Sequence, residues 1–303
     1  MKRKNALVIL SVLVVLAWAA GALAQDAAMV VEMKGDPAVY ESAAKKGQEV
    51  MLMDFLAEGD VIKLGPNTSL VLNYFASGAR EEITGPGVIT VGQQSSEKQG
   101  EAEIKTAKVD YIPEPTAGQG QEGALHVGTV ALRGTSPASP ELLPLGPSET
   151  AVRSLPLTFR WRPVSGAESY KFALRDKDGH VLVKGETKTP AYECDQADLA
   201  RNQEYWWTVE AIEMEDVIAE GGGKFFLLGE KDLNQIALTE MYIQKHYEEG
   251  SAEAQIATAM LYKKYQLNEE AREVLMDLKK KHPRNANLDR QLNELNTNYT
   301  PRS

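Results

Sequence analysis

Three groups of residues in this chain have the types that carry chemistry. Asp176, Asp178 and Gly179 begin like a calcium loop, in which alternate carboxylates offer hard oxygen ligands. The later ligands and the closing glutamate do not follow, and Asp-Gly between two strand patterns is a hairpin signal in its own right. Gly221-Gly222-Gly223-Lys224 has the residue types of a phosphate cradle, but its spacing and the residue after the lysine are wrong, so it reads as a hairpin turn. His126, His180, His246 and His282 are far apart, none sits in an H-E-x-x-H pair, and no G-x-S-x-G occurs. Cys194, the only cysteine, has no paired histidine in its neighbourhood and reads as a small buried residue. Catalysis is therefore not expected, and neither a cofactor nor a metal is called for. Carboxylate pairs on a β scaffold leave no spacing signature, so a carbohydrate-active enzyme stays open as an alternative.

Aromatic side chains are the other candidates, because a ring can hold a sugar or a peptide without reacting with it. Trp206 alternates away from Tyr205 and Trp207, so it points out of any core those two share, either to a ligand or to a neighbouring domain. Tyr242, Tyr247, Tyr262 and Tyr265 lie in helical pattern and are expected to anchor a protein partner. The alternative is that this helical tail merely packs on the domain before it.

The elements that must position these residues change character along the chain. Lys2 to Lys4, the apolar run Ala6 to Ala20 and the small residues around Ala22-Leu23-Ala24 form the three parts of a secretory signal. Residues 1–24 are expected to be removed, with Gln25 first in the mature chain, which puts the protein in the periplasm or outside a bacterial cell. The alternative is an uncleaved membrane anchor, the one way in which a membrane would become a partner. Loss of Lys2, Arg3 and Lys4 would take the formal charge from -10 to -13, which argues against nucleic acid, whose backbone demands a basic surface. A lone cysteine leaves no internal disulfide, so the folds must rest on apolar cores.

From Met29 to Gly92 short alternating runs are broken by Gly-Asp and Gly-Pro turns, the pattern of a compact β unit. Glu58-Gly59-Asp60-Val61-Ile62, Ser69 to Leu72, Gly78 and Ile83-Thr84-Gly85-Pro86-Gly87 resemble the FecR-type β-domain of bacterial envelope proteins. That resemblance implies a periplasmic domain. The best-known members regulate a sigma factor through a cytoplasmic helical segment, for which only five residues precede the apolar run here, so that layout is not expected. Gln93 to Gly100 reads as a mobile loop, Val127 to Leu132 as a short strand, and the first domain is placed at 28–133. Gly134 to Pro147 is proline-rich and reads as an extended linker.

Residues 148–228 alternate as half-buried strands do. Trp161-Arg162-Pro163, Tyr170, and Leu199 six before Tyr205 with Trp207 and Val209 after it, resemble a fibronectin type III or immunoglobulin-like sandwich. The resemblance implies a tyrosine corner at Tyr205 and a core containing Trp161. After Gly229 the period becomes helical, with segments at 232–249, 252–266, 269–282 and 286–295. Ala259, Tyr262, Ala271, Leu275, Leu278 and Pro283 fall at tetratricopeptide spacings, so 232–298 resembles that repeat, and one period of about 34 residues back lie Ala237 and Met241. The whole is expected to be multidomain: an all-β FecR-like domain, a β-sandwich and α-helical hairpins. It would serve as an exported adaptor binding other envelope proteins or wall polymer, or else as an anchored sensor.

Overall fold

The computed structural model describes residues 26–109, 141–195 and 199–295. The residues expected to form a secretory signal, the strand expected at Val127 to Leu132 and the first part of the proline-rich segment lie outside the described residues.

The first domain is built of β1 (Asp26–Lys34), β2 (Val39–Tyr40), β3 (Phe55–Ala57), β4 (Val61–Leu64), β5 (Ser69–Tyr74), β6 (Ala79–Thr84), β7 (Gly87–Val91), β8 (Ser96–Gln99) and β9 (Glu103–Lys108). One sheet has the order β3-β1-β5-β6-β9 and the other β2-β4-β7-β8. Their facing sides bury Val30, Leu56, Ile62, Leu70, Leu72, Tyr74, Ile83 and Ile89. The loop expected at Gln93 to Gly100 contains β8, which pairs with β7. A polar strand at a sheet edge keeps only one neighbour and carries no apolar period to announce it. Gly35 takes a left-handed φ of 81°, and a Cβ there would lie 1.7 Å from the Asn67 carbonyl oxygen, so only glycine closes that turn.

The sandwich uses β10 (Glu141–Leu142), β11 (Pro144–Gly146), β12 (Thr150–Val152), β13 (Leu157–Trp161), β14 (Ser169–Asp176), β15 (Val181–Thr187), β16 (Ala191–Cys194), β17 (Gln203–Glu213) and β18 (Asp216–Leu227). Sheet β11-β13-β16 faces sheet β10-β18-β17-β14-β15, with β12 also on β18. Three strands facing a six-stranded sheet, with β16 crossing from one to the other between β15 and β17, make a β-sandwich of the fibronectin type III or immunoglobulin-like kind. Its core holds Trp161, Phe159, Phe172, Leu174, Trp207, Val209 and Phe225. The Tyr205 hydroxyl donates to the Ala200 carbonyl at 2.8 Å, which makes the tyrosine corner.

Two sequence readings are corrected here. Residues 141–147 are not a linker: β10 runs parallel to β18, β11 pairs with β13, and the Pro147 carbonyl accepts from Trp207 Nε1 at 2.7 Å. Proline is tolerated because these are short edge segments that need few donors. Gly221 to Gly223 are not a turn but lie inside β18, the turn falling at Met214 and Glu215, both at positive φ. A Cβ on Gly221 would stand 2.0 Å from the Leu142 carbonyl oxygen, so the glycine admits the neighbouring strand.

Helices α1 (Glu230–His246), α2 (Ala252–Lys264), α3 (Asn268–Lys281) and α4 (Ala286–Glu294) close the chain. They lie against both β units. Ile256, Ala259, Met260, Leu275, Leu278 and Leu288 share one core with Met29, Val31, Leu52, Met53 and Val71 of the first domain. Ile236, Ile243, Ala257, Leu261 and Leu267 share another with Ala151, Phe226 and Leu228 of the sandwich. Strands β1 and β5 are accordingly buried on both faces, which explains why MVV and LVL are continuous apolar runs rather than alternating ones.

Candidate functional site

Strand register decides which aromatic rings are available. Tyr205, Trp207, Val209 and Ala211 of β17 turn inward, and Trp206 between them is 43% exposed. Its cross-strand neighbours are Arg175 on β14 and Lys224 on β18. The next outward row is Ala173, Thr208 and Gly222, so the floor beside the indole is flat and low. Trp206 Nε1 donates to Glu204 Oε2 at 3.2 Å, which orients the ring. An open aromatic face between cations, with carboxylates near by, can stack on a pyranose or a planar peptide group and hydrogen-bond its edges. Lys224 also lies 3.8 Å from Glu149, whose carboxyl burial pushes above the usual range while Lys224 opposes the shift.

The hairpin joining β14 and β15 gathers Asp176, Asp178 and His180, with potential ligand atoms within 4.8 Å of one another. The loop uses these atoms itself. Asp176 Oδ1 accepts from the Asp178 and His180 backbone N–H groups at 2.9 and 2.8 Å, and Oδ2 is 3.0 Å from His180 Nδ1. Desolvation would raise the Asp176 carboxyl, yet these donors hold it below the usual carboxylate range. That is hairpin chemistry, as the Asp-Gly signal implied.

The tyrosines are placed otherwise than the sequence suggested. Tyr247 and Tyr265 are 8% and 9% exposed and belong to the core between helices and sandwich. Tyr262 is half-buried, donates to Glu240 Oε1 at 2.7 Å and lies under Arg153 at 5.1 Å. Burial, with Glu240 beside it, raises its hydroxyl pKa. Tyr242 is half-buried and stacks on His246 at 4.2 Å. For Tyr247 and Tyr265 the expectation of a partner-binding face is corrected, because the sandwich and the helices cover them, whereas Tyr242 lines an open cleft with Gln235, Leu238 and Thr239. Sequence reasoning also missed Arg153, which reaches Glu240 at 2.7 Å and Glu270 at 3.5 Å, because nothing local marks an arginine just past a short strand as a bridge to two helices. Arg175 and Lys224 were equally invisible without the register of β17.

No protein-family model and no curated protein matches the chain. Among solved structures, the chicken CNTN1 FN1–FN3 domains are similar at 11% identity and a TM-score of 0.23, over 67% of this chain and 57% of that one. The chain thus spans a little over half of that structure. The assignment of the sandwich rests on its own strand order and tyrosine corner. Among the described residues no helix is long and apolar enough to cross a membrane.

Proposed function

We propose that the chain is an exported, non-enzymatic adaptor of the bacterial envelope that binds other envelope proteins or wall polymer through the sheet face around Trp206. The observation that carries this is the division of its apolar surface. The buried residues of the helices are spent on the two β units, while Trp206 keeps an open ring on a flat, charged sheet. On this reading the first domain is of the FecR type, supported by the positive-φ turns at Gly59 and Gly78. The pair α2–α3 is of the tetratricopeptide type, supported by the joint burial of Ala259, Ala271, Leu275 and Leu278. The N-terminal signal supplies the address.

The test is capture from an envelope fraction and co-sedimentation with isolated wall polymer, comparing the chain with Trp206→Ala. The substitution should abolish capture or co-sedimentation while leaving the melting temperature unchanged. Undiminished binding of every partner by Trp206→Ala would remove this face from the proposal. Intact mass of the envelope-purified protein should start at Gln25; retention of Met1 to Ala24 would favour the anchored sensor instead.

A further inference from the structure

The outward face of the six-stranded sheet is divided by charge. Strand register arranges it in rows that cross the strands, and the row of Trp206 reads Val181, Arg175, Trp206 and Lys224. Val181, at the edge, is 38% exposed. The next row reads Lys184, Ala173, Thr208 and Gly222, so these two rows hold three cations and no carboxylate. The row after that reverses the sign. Glu186, Glu210 and Glu220 stand around Lys171, and Glu141 continues the acidic row onto β10. In the other direction the face passes under the helices at Phe226, opposite Glu204, whose carboxylate already accepts the indole N–H.

We propose that the ligand of this face is a glycan chain that carries carboxylates, lying across the strands with one pyranose ring on Trp206. This rests on the reading of the Trp206 face as the binding site and names what binds there. A single indole beside the low residues Ala173, Thr208 and Gly222 offers one flat apolar contact and no second anchor. That is too little for the clustered anchors of a protein interface, and it suits the apolar face of one sugar ring. Arg175 and Lys224 stand one strand spacing to either side of the indole, about 5 Å, where carboxylates on the stacked sugar or its neighbours would fall. Arg175 offers such a group a planar fork, and its bond to the Gly179 carbonyl, at 3.4 Å, is long enough for a charged acceptor to outcompete. Lys224 adds a point charge that it shares with Glu149. The acidic row fixes the direction of the chain. A polymer running along β17 would bring its carboxylates over Glu210, four residues or about 13 Å from Trp206, whereas one crossing the strands stays on the basic rows. That distance exceeds the roughly 8 Å over which charges act at physiological salt, so neither the acidic row nor the formal charge of -10 offsets the local attraction.

The test is titration of the purified full chain with a hexasaccharide of alternating glucuronate and N-acetylglucosamine, and with the same hexasaccharide after its carboxylates are reduced to alcohols. The acidic form should bind about tenfold more tightly, the scale of two exposed ion pairs. Arg175→Gln and Lys224→Gln should each weaken the acidic form about threefold and leave the reduced form unaffected. Trp206→Ala should weaken both forms about tenfold, Glu220→Gln should change neither, and every variant should keep the wild-type melting temperature. Equal binding of the two hexasaccharides overturns the acidic class. So does binding of neither, or tighter binding to vesicles of anionic phospholipid than to the acidic hexasaccharide. In each of those cases, loss of envelope capture by Trp206→Ala would leave the adaptor reading standing with a ligand of another class. Acidic binding untouched by Trp206→Ala overturns the placement on this face.

Discussion

Two tryptophans of the sandwich, Trp161 and Trp206, show how much a residue's direction decides. Trp161 is fully buried against Tyr170 and Trp207, at ring distances of 5.4 and 6.2 Å, and its Nε1 has no hydrogen-bond partner. Its worth is therefore packing alone, and Trp161→Ala should cost about 3–5 kcal/mol in denaturant melts. Trp206→Ala should change stability by no more than about 0.5 kcal/mol, as exposed substitutions do. A reversed ranking would mean that β17 is turned by one residue. Tyr205→Phe, which keeps the ring and removes a hydroxyl that donates to the Ala200 carbonyl and accepts from Gln203 Nε2, should cost about 1 kcal/mol by the same measurement.

Between elements, buried polar contacts fix how the helices sit on the strands. Glu253 of α2 is 4% exposed; Arg80 Nε donates to its Oε2 at 2.9 Å and Asn73 Nδ2 to its Oε1 at 3.3 Å. Burial raises its carboxyl above the ordinary 4.5 in spite of Arg80 and Asn73. The folded chain thus takes up this proton more readily than the unfolded one. The stability it contributes is complete below the unfolded pKa and is lost as pH rises through the folded value. Melts of the wild type and Glu253→Gln from about pH 4 to pH 7 should show the variant gaining on the wild type as pH climbs. A gap that closes instead would refute that direction. Arg153→Ala should lower stability by about 1–3 kcal/mol, since it strips a charged donor from Glu240 and Glu270 and a cation from the Tyr262 ring. Faster amide exchange in α1 would locate that loss.

These elements were unequally legible in the sequence. The helices and the inward residues of β13, β14 and β17 follow from period, because each has a covered face, that of the strands lying within their own sandwich. Leu142, Gly146 and the three glycines of β18 were misread, since what covers them comes from strands far away in sequence. Tyr247 and Tyr265 were misplaced for a related reason: a helical stripe says that something lies over it without saying what. Trp206 was legible as an outward residue, but its flanking cations depended on strand register.

At the scale of the molecule, the tail works as a clasp shared by two β units rather than as a third, separate domain. Both cores include helical residues, so the described parts should melt in one cooperative transition, and calorimetry showing two well-separated peaks would contradict this. Removing 230–303 would bare Met29, Val31 and Val71 on one side and Phe226 and Leu228 on the other. The remainder should aggregate or bind a hydrophobic dye strongly, and a soluble, dye-silent remainder would mean that the tail is dispensable.

The double-sided burial of β1 also bears on how the chain comes to its folded state. Met29 and Val31 are among the first described residues to emerge in any N-to-C process, and Ile256, Leu275 and Leu288, which cover them, are more than 200 positions later. Until those last helices arrive, an apolar strand face stands open beside an otherwise finished sheet, at the stage when sheets are most prone to pair with the wrong strand. Such a chain gains from being kept unfolded until it is complete, and its slowest productive step is the closing of its end over its beginning.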